Sequence, residues 1–215
     1  MKNLLYKELR LAFHPTVALF WLLSAMLLIP SYPYYVILFY SMLGIFFVCL
    51  TGRENHDLYF TMSLPIRKRD LVRARFGFVV MIELIQLLIA VPFAILRQRM
   101  PLPGNEVGMD ANIAFFGISL LLFGLYNWIF LNAYYAAPDK VGKAFAITSV
   151  VMWVLIIAAE ALCHIVPFMR DRLDMPDPRF ITEKLAVLAV GFLCYIALTW
   201  LALRRSEKAF EKLDL

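Results

Sequence analysis

Six apolar stretches, each about long enough to cross a bilayer, make up most of this chain. They run from about Leu11 to Ile29, Tyr34 to Leu50, Phe76 to Leu96, Ile113 to Ala136, Ala144 to Phe168 and Leu185 to Leu203. As a helix the first would span about 28 Å, against a hydrocarbon core of ~30 Å. With 215 residues, 62% of them hydrophobic, little is left for a soluble domain. Charged residues are 17% and mean hydropathy is +0.74; soluble domains carry roughly 25% charged residues. Lipid is therefore the expected solvent. The expected fold is an all-α membrane protein, one domain over residues 1–215, with six transmembrane helices.

The breaks between stretches are short. Pro30-Ser31-Tyr32-Pro33 cannot continue a helix and predicts a tight turn. Pro138-Asp139-Lys140 predicts another, and Pro92 a kink near the end of the third span. Residues 97–110 and 170–180 read as polar loops. Short connections imply an antiparallel helix bundle. The first stretch lacks a small-x-small cleavage site and is expected to stay as a span.

The net charge of +5 does not point to nucleic acid, because the basic residues sit at the ends of the apolar runs. Placing the N-terminus inside puts fifteen Lys and Arg on the inner side, among them Lys7, Arg10, Arg53, Arg67, Lys68, Arg69, Lys140 and Arg204. The outer side then holds six: Arg97, Arg99, Arg170, Arg172, Arg179 and Lys184. By the positive-inside rule both termini are expected in the cytoplasm.

Four features stand out within this frame. Residues 3–12 place Leu4, Leu5, Leu11 and Ala12 on one helical face, with Lys7 and Arg10 opposite. That pattern suits a helix in the inner interface, turning into the membrane at His14-Pro15, although it also reads as the start of span one. Glu8, near the apolar face, fits poorly. Between spans two and three, Asn55 or Asp57 could cap a short helix ended by Pro65, with Leu58, Tyr59 and Met62 on one face. Such a helix has either a protein surface or anionic lipid to dock against. Asp70 is placed to cap span three.

Glu83 and Gln86 share a face at mid-span, and Asn127 in span four, on a face with Gly117 and Gly124, is a possible partner. Polar groups at that depth either line a path or bond between helices. Glu160 and His164 form an E-x-x-x-H pair without a third ligand, so a metal site is not expected. Asp171, Asp174 and Asp177 read as a solvated loop, and Cys49, Cys163 and Cys194 as packing residues. No G-x-x-x-x-G-K-[ST], H-E-x-x-H or G-x-S-x-G is present. The chain is thus expected to be neither an ATPase by that device nor a hydrolase of those types.

Two stretches carry a resemblance: Asn3-Leu4-Leu5-Tyr6-Lys7-Glu8-Leu9-Arg10 leading through His14-Pro15, and Arg53-Glu54-Asn55 with Asp57, Ser63-Leu64-Pro65-Ile66-Arg67 and Leu71-Val72-Arg73-Ala74-Arg75. In these the chain resembles the permease subunits of bacterial ABC-2-type transporters. The resemblance implies a half-transporter in the bacterial cytoplasmic membrane, paired with an identical or homologous permease and with two copies of a separate ABC ATPase. That partner would bind ATP and Mg; no cofactor is expected in this chain. A coupling helix would lie at His56 to Leu64, using His56, Asp57, Leu58, Tyr59, Met62 and Leu64. A second contact would involve Asp139 and Lys140.

Glu83, Gln86, Asn127 and Glu160 become candidates for the translocation path. Related permeases with short outer loops export amphipathic or antimicrobial peptides, phenol-soluble modulins among them. The expected substrate is therefore hydrophobic or amphipathic. The competing readings are an ion-coupled carrier or non-catalytic scaffold, and a membrane enzyme using Glu83, or Glu160 with His164.

Overall fold

The computed structural model describes residues 2–101 and 103–213, and within them every regular element is helical. Helix α1 is Lys2–Lys7, continued by a π turn at Glu8–Ala12. Helix α2, Pro15–Leu22, continues as a 3-10 helix at Leu23–Leu28. Then follow α3 (Val36–Glu54), α4 (Asp57–Met62) and α5 (Lys68–Arg99). Helix α6, Ile113–Tyr126, passes through a π turn at Asn127–Leu131 into α7, Asn132–Ala136. Helix α8 is Val141–Ile165 and α9 is Ile181–Glu211.

Five of these segments are long and apolar enough to cross a membrane: α3, α5, α6 with α7, α8 with the short helix before it, and α9. The sixth candidate is bent. Asn3–Ala12 and Pro15–Leu28 meet at 78°. The bend falls where His14 leaves helical geometry and Pro15 opens the next helix, a position that needs no backbone N–H. His14 Nδ1 accepts from the Thr16 amide there. The apolar part after the bend is shorter than the run Leu11–Ile29 suggests. Eight α and six 3-10 residues span about 24 Å.

Helices α2, α3, α8, α6, α9 and α5 pack in a closed ring, with α3 also touching α5 and α6. Helices α3 and α6 are the most enclosed and α9 the least. Aromatic pairs bind α3 to α8: Phe46 stacks on Phe145 at 4.2 Å, and Phe39 meets Trp153 at 5.1 Å. The α6–α9 contact is the closest. A Cβ on Gly191 would lie 2.0 Å from the Gly117 carbonyl oxygen, and one on Gly124 would lie 3.0 Å from the Tyr195 Cα. At Gly117 and Gly191 only glycine permits that approach, the usual device where lipid offers no hydrophobic drive between helices.

Helix α5 runs unbroken through Pro92. Two capping expectations fail. Asp70 lies inside the first turn of α5, whose cap position is Arg67, and no side chain caps it. The cap of α4 is His56, at φ 50°, with no side-chain bond. The Asp57 carboxylate is drawn to the basic groups described below.

Helix α1, α4, the start of α5 and the end of α9 gather at one end of the bundle, the terminal face. At this face Arg69 pairs with Glu211 at 2.5 Å and Arg73 with Glu207 at 2.6 Å.

Candidate functional site

Helix α4 exposes apolar side chains on the terminal face. Its expected single apolar face divides in two. Leu58 is buried and Met62 half-buried against the bundle, whereas Tyr59 is 45% and Phe60 66% exposed. Leu64, beyond the helix end, is also exposed. The helix is shorter than expected, Asp57–Met62, so His56 and Leu64 flank it.

A charge cluster fixes α4 from behind. The Arg75 guanidinium, 1% exposed, lies 2.5 Å from Glu8 Oε2 through Nε, and its Nη2 donates to Asp57 Oδ2 at 2.8 Å. Lys7 Nζ sits 2.6 Å from Asp57 Oδ1 and 3.3 Å from Glu8 Oε1, and donates to Thr61 Oγ1 at 2.9 Å. Thr61 Oγ1 in turn donates to the Asp57 carbonyl. Two cations and two anions thus neutralise one another where burial would otherwise be prohibitive. Gly52 of α3 packs beside the cluster: a Cβ there would stand in ordinary contact, 3.6 Å from Arg75 Nη1. The poor fit of Glu8 on the face of α1 is resolved by Arg75, 67 positions later in the sequence.

Beside α4 lies a cleft of about 260 Å³, walled by Gly52, Arg53, His56, Leu58 and Tyr59 on one side and by Tyr134, Ala136, Ala137, Pro138 and Asp139 on the other. Arg53 Nη1 donates to the Asp139 carbonyl at 3.3 Å, tying the two loops together. The two regions expected to contact a partner, the 56–64 segment and the turn holding Asp139 and Lys140, are therefore adjacent. Asp139 on the cleft wall and the next residue, Lys140, are both exposed.

The mid-membrane candidates form two separate clusters. Glu83 is fully buried, and its Oε2 accepts from Asn127 Nδ2 at 3.0 Å and from the Tyr195 hydroxyl at 2.7 Å. Glu83 Oε1 and Asn127 Oδ1 have no partner among the described residues. Gln86, also fully buried, accepts from Ser41 and donates to Ser24, each at 2.8 Å. Each cluster meets a helix irregularity: Asn127 opens the π turn after α6, and Ser24 lies in the 3-10 part of α2.

Glu160 is far from both. Its carboxylate accepts the Tyr35 amide at 3.2 Å and the Met109 amide at 3.1 Å at the far face. His164 meets the Val107 carbonyl at 3.0 Å, so the E-x-x-x-H pair grips one loop. The three aspartates of the 170–180 loop diverge. Asp171 pairs with Arg170, which holds its carboxyl below the usual range. Asp174 accepts the Asp110 amide at 2.7 Å, and Asp177 pairs with Lys184 at 2.8 Å. Burial pushes Asp174 up to about 6 and raises Asp110 as well. Among the described residues no three His, Cys, Asp or Glu side chains come close enough to hold a metal ion.

The sequence pattern of the ABC-2 family transporter proteins matches residues 3–204, nearly the whole chain. The chain belongs to the ABC-2 transporter family. No curated protein and no solved structure matches it. Membership makes this a multi-pass permease subunit of an ABC transporter, a class that works with an ABC ATPase.

Two features of this ABC-2 permease escape a reading of its sequence. Phe60, the most exposed aromatic of α4, lies off the Leu58–Met62 face that the helical spacing picks out. Arg75 reads as one more basic residue at a span end, yet it is buried as deeply as the core. The signal for it was indirect: Glu8 misplaced on an apolar face, with no local cation to answer it on that face.

Proposed function

We propose that this permease is half of an ATP-driven exporter in the bacterial cytoplasmic membrane. It would pair with a second permease, identical or homologous, and with two ATPase subunits that bind ATP and Mg. In this reading the terminal face is cytoplasmic, in line with the excess of Lys and Arg expected there. The observation that carries it is the cleft joining α4 to the Pro138–Lys140 turn, with Tyr59 lining it and Phe60 exposed elsewhere on α4. Exposed aromatics on a short helix, backed by a rigid ionic cluster, suit docking into a protein groove.

Asp57 and Leu58 support α4 from within, while Tyr59, Phe60, Leu64, Asp139 and Lys140 present the contact. Glu83, Gln86, Asn127 and Glu160 are enclosed by the chain's own helices. They act on the path from behind, by fixing the helices that form its wall. The substrate is hydrophobic or amphipathic, most simply a peptide entering from the membrane. This rests on the family resemblance and on far-face loops too small to form a separate receiving domain.

The test is purification from native membranes in mild detergent. A stoichiometric ATPase should accompany the chain and be lost from Tyr59→Ala/Phe60→Ala, which changes exposed side chains only. An intact bundle that brings no ATPase down would reject the reading. It would favour an ion-coupled carrier, for which the unpartnered Glu83 Oε1 is the specific pointer.

A further inference from the structure

Helix α5 carries four buried polar side chains on its inward side, at Arg75, Glu83, Gln86 and Arg97. Each reaches different elements. Arg75 holds Glu8 of α1 and Asp57 of α4. Glu83 holds Asn127 and Tyr195, hence the π turn after α6 and the middle of α9. Gln86 holds Ser24 of α2 and Ser41 of α3. Arg97 donates to the Tyr34 hydroxyl at 2.9 Å and to the Pro103 carbonyl at 2.5 Å, and lies 3.8 Å from Asp110 of the far-face loop. None of the four reaches α8.

Between helices in lipid, apolar contact alone does little to fix position, because lipid tails compete equally well. Directional bonds made away from water do fix it. Breaking one side of a buried ion pair is far more costly than losing an apolar contact. From Arg75 to Arg97 the helix rises about 33 Å, unbroken by any loop.

We propose that α5 is a transmission shaft, which couples the charge cluster behind α4 to the far-face loop through these polar rungs. A displacement of α4 would move Arg75, carry α5 as a body, and arrive at residues 103–112 through Arg97. The two irregular helix segments gripped by Glu83 and Gln86 would move with it. This mechanical link does not depend on an ATPase docking; only its use by one does.

The test is hydrogen–deuterium exchange of the full chain in lipid nanodiscs. Glu8→Gln removes one charge of the cluster at constant size. It should speed exchange at residues 57–62 and, at the opposite end, at 103–112, by about threefold or more. Residues 144–156 of α8 should keep the wild-type rate. Coupling is reciprocal, so Asp110→Asn, at the far end, should loosen residues 57–62. Changes confined to the mutated end in both variants overturn the proposal. So does an equal change throughout, α8 included, which marks general destabilisation.

Discussion

A methyl group on Gly191 has no place to go, because the obstacle is the Gly117 carbonyl and not a movable side chain. Gly191→Ala should therefore lower stability by about 1–3 kcal/mol or more, read as a fall in the thermal unfolding midpoint in detergent. Gly142→Ala is the control: nothing lies within 4 Å of its Cβ position, and the midpoint should hold or rise. The Gly117, Gly124 and Asn127 face was legible from helical spacing. Its partner was not, since spacing on one helix does not say which other helix meets it.

Asp174 gives a pH dependence. Its folded value, about 6, stands above the ordinary 3.8 because burial disfavours the charge. The folded loop thus binds more protons than the unfolded one, and stability falls as pH rises through about 4 to 6. Thermal midpoints taken across that window should decline in the wild type. They should decline less steeply in Asp174→Asn, with a residual slope from Asp110, which shifts in the same direction.

At the scale of elements, the existence and order of the helices could be read from apolar runs and prolines, and their irregularities could not. The 3-10 end of α2 and the π turn after α6 arise where tertiary polar contacts outweigh local propensity. Glu83 tests that account. Glu83→Gln keeps an acceptor for the Tyr195 hydroxyl and the Asn127 amide and should retain most of the stability. Glu83→Leu strands both donors and should cost about 1–3 kcal/mol in chemical denaturation. A leucine variant as stable as the glutamine one would show that neither bond holds the π turn. Helix α4 shows the other limit. Its place between spans was legible from Pro65 and the basic run. The direction of Phe60 was not, because docking behind α4 is set by Arg75, which lies within α5.

For the whole molecule, charge at the span ends predicts which face is cytoplasmic. Cys49 and Cys163 are buried and Cys194 is half-buried, so background labelling should be low. A membrane-impermeant maleimide should label Arg172→Cys in intact cells and Lys143→Cys only after permeabilisation. The reverse pattern would invert the topology. The spans and their antiparallel order were legible because they follow from composition and chain connectivity. The charge cluster and the polar rungs join residues far apart in sequence and needed the folded structure.

The brevity of α2 with its 3-10 end has a further consequence. A wall segment of about 24 Å set in a hydrocarbon layer of about 30 Å leaves a mismatch of roughly 6 Å on one side of the bundle. Lipids there must shorten or tilt, and the headgroups of the two leaflets draw together beside α2. In bare lipid the chain is therefore expected to thin the bilayer beside α2. Its behaviour should depend on acyl-chain length in a way a bundle of six full-length spans would not.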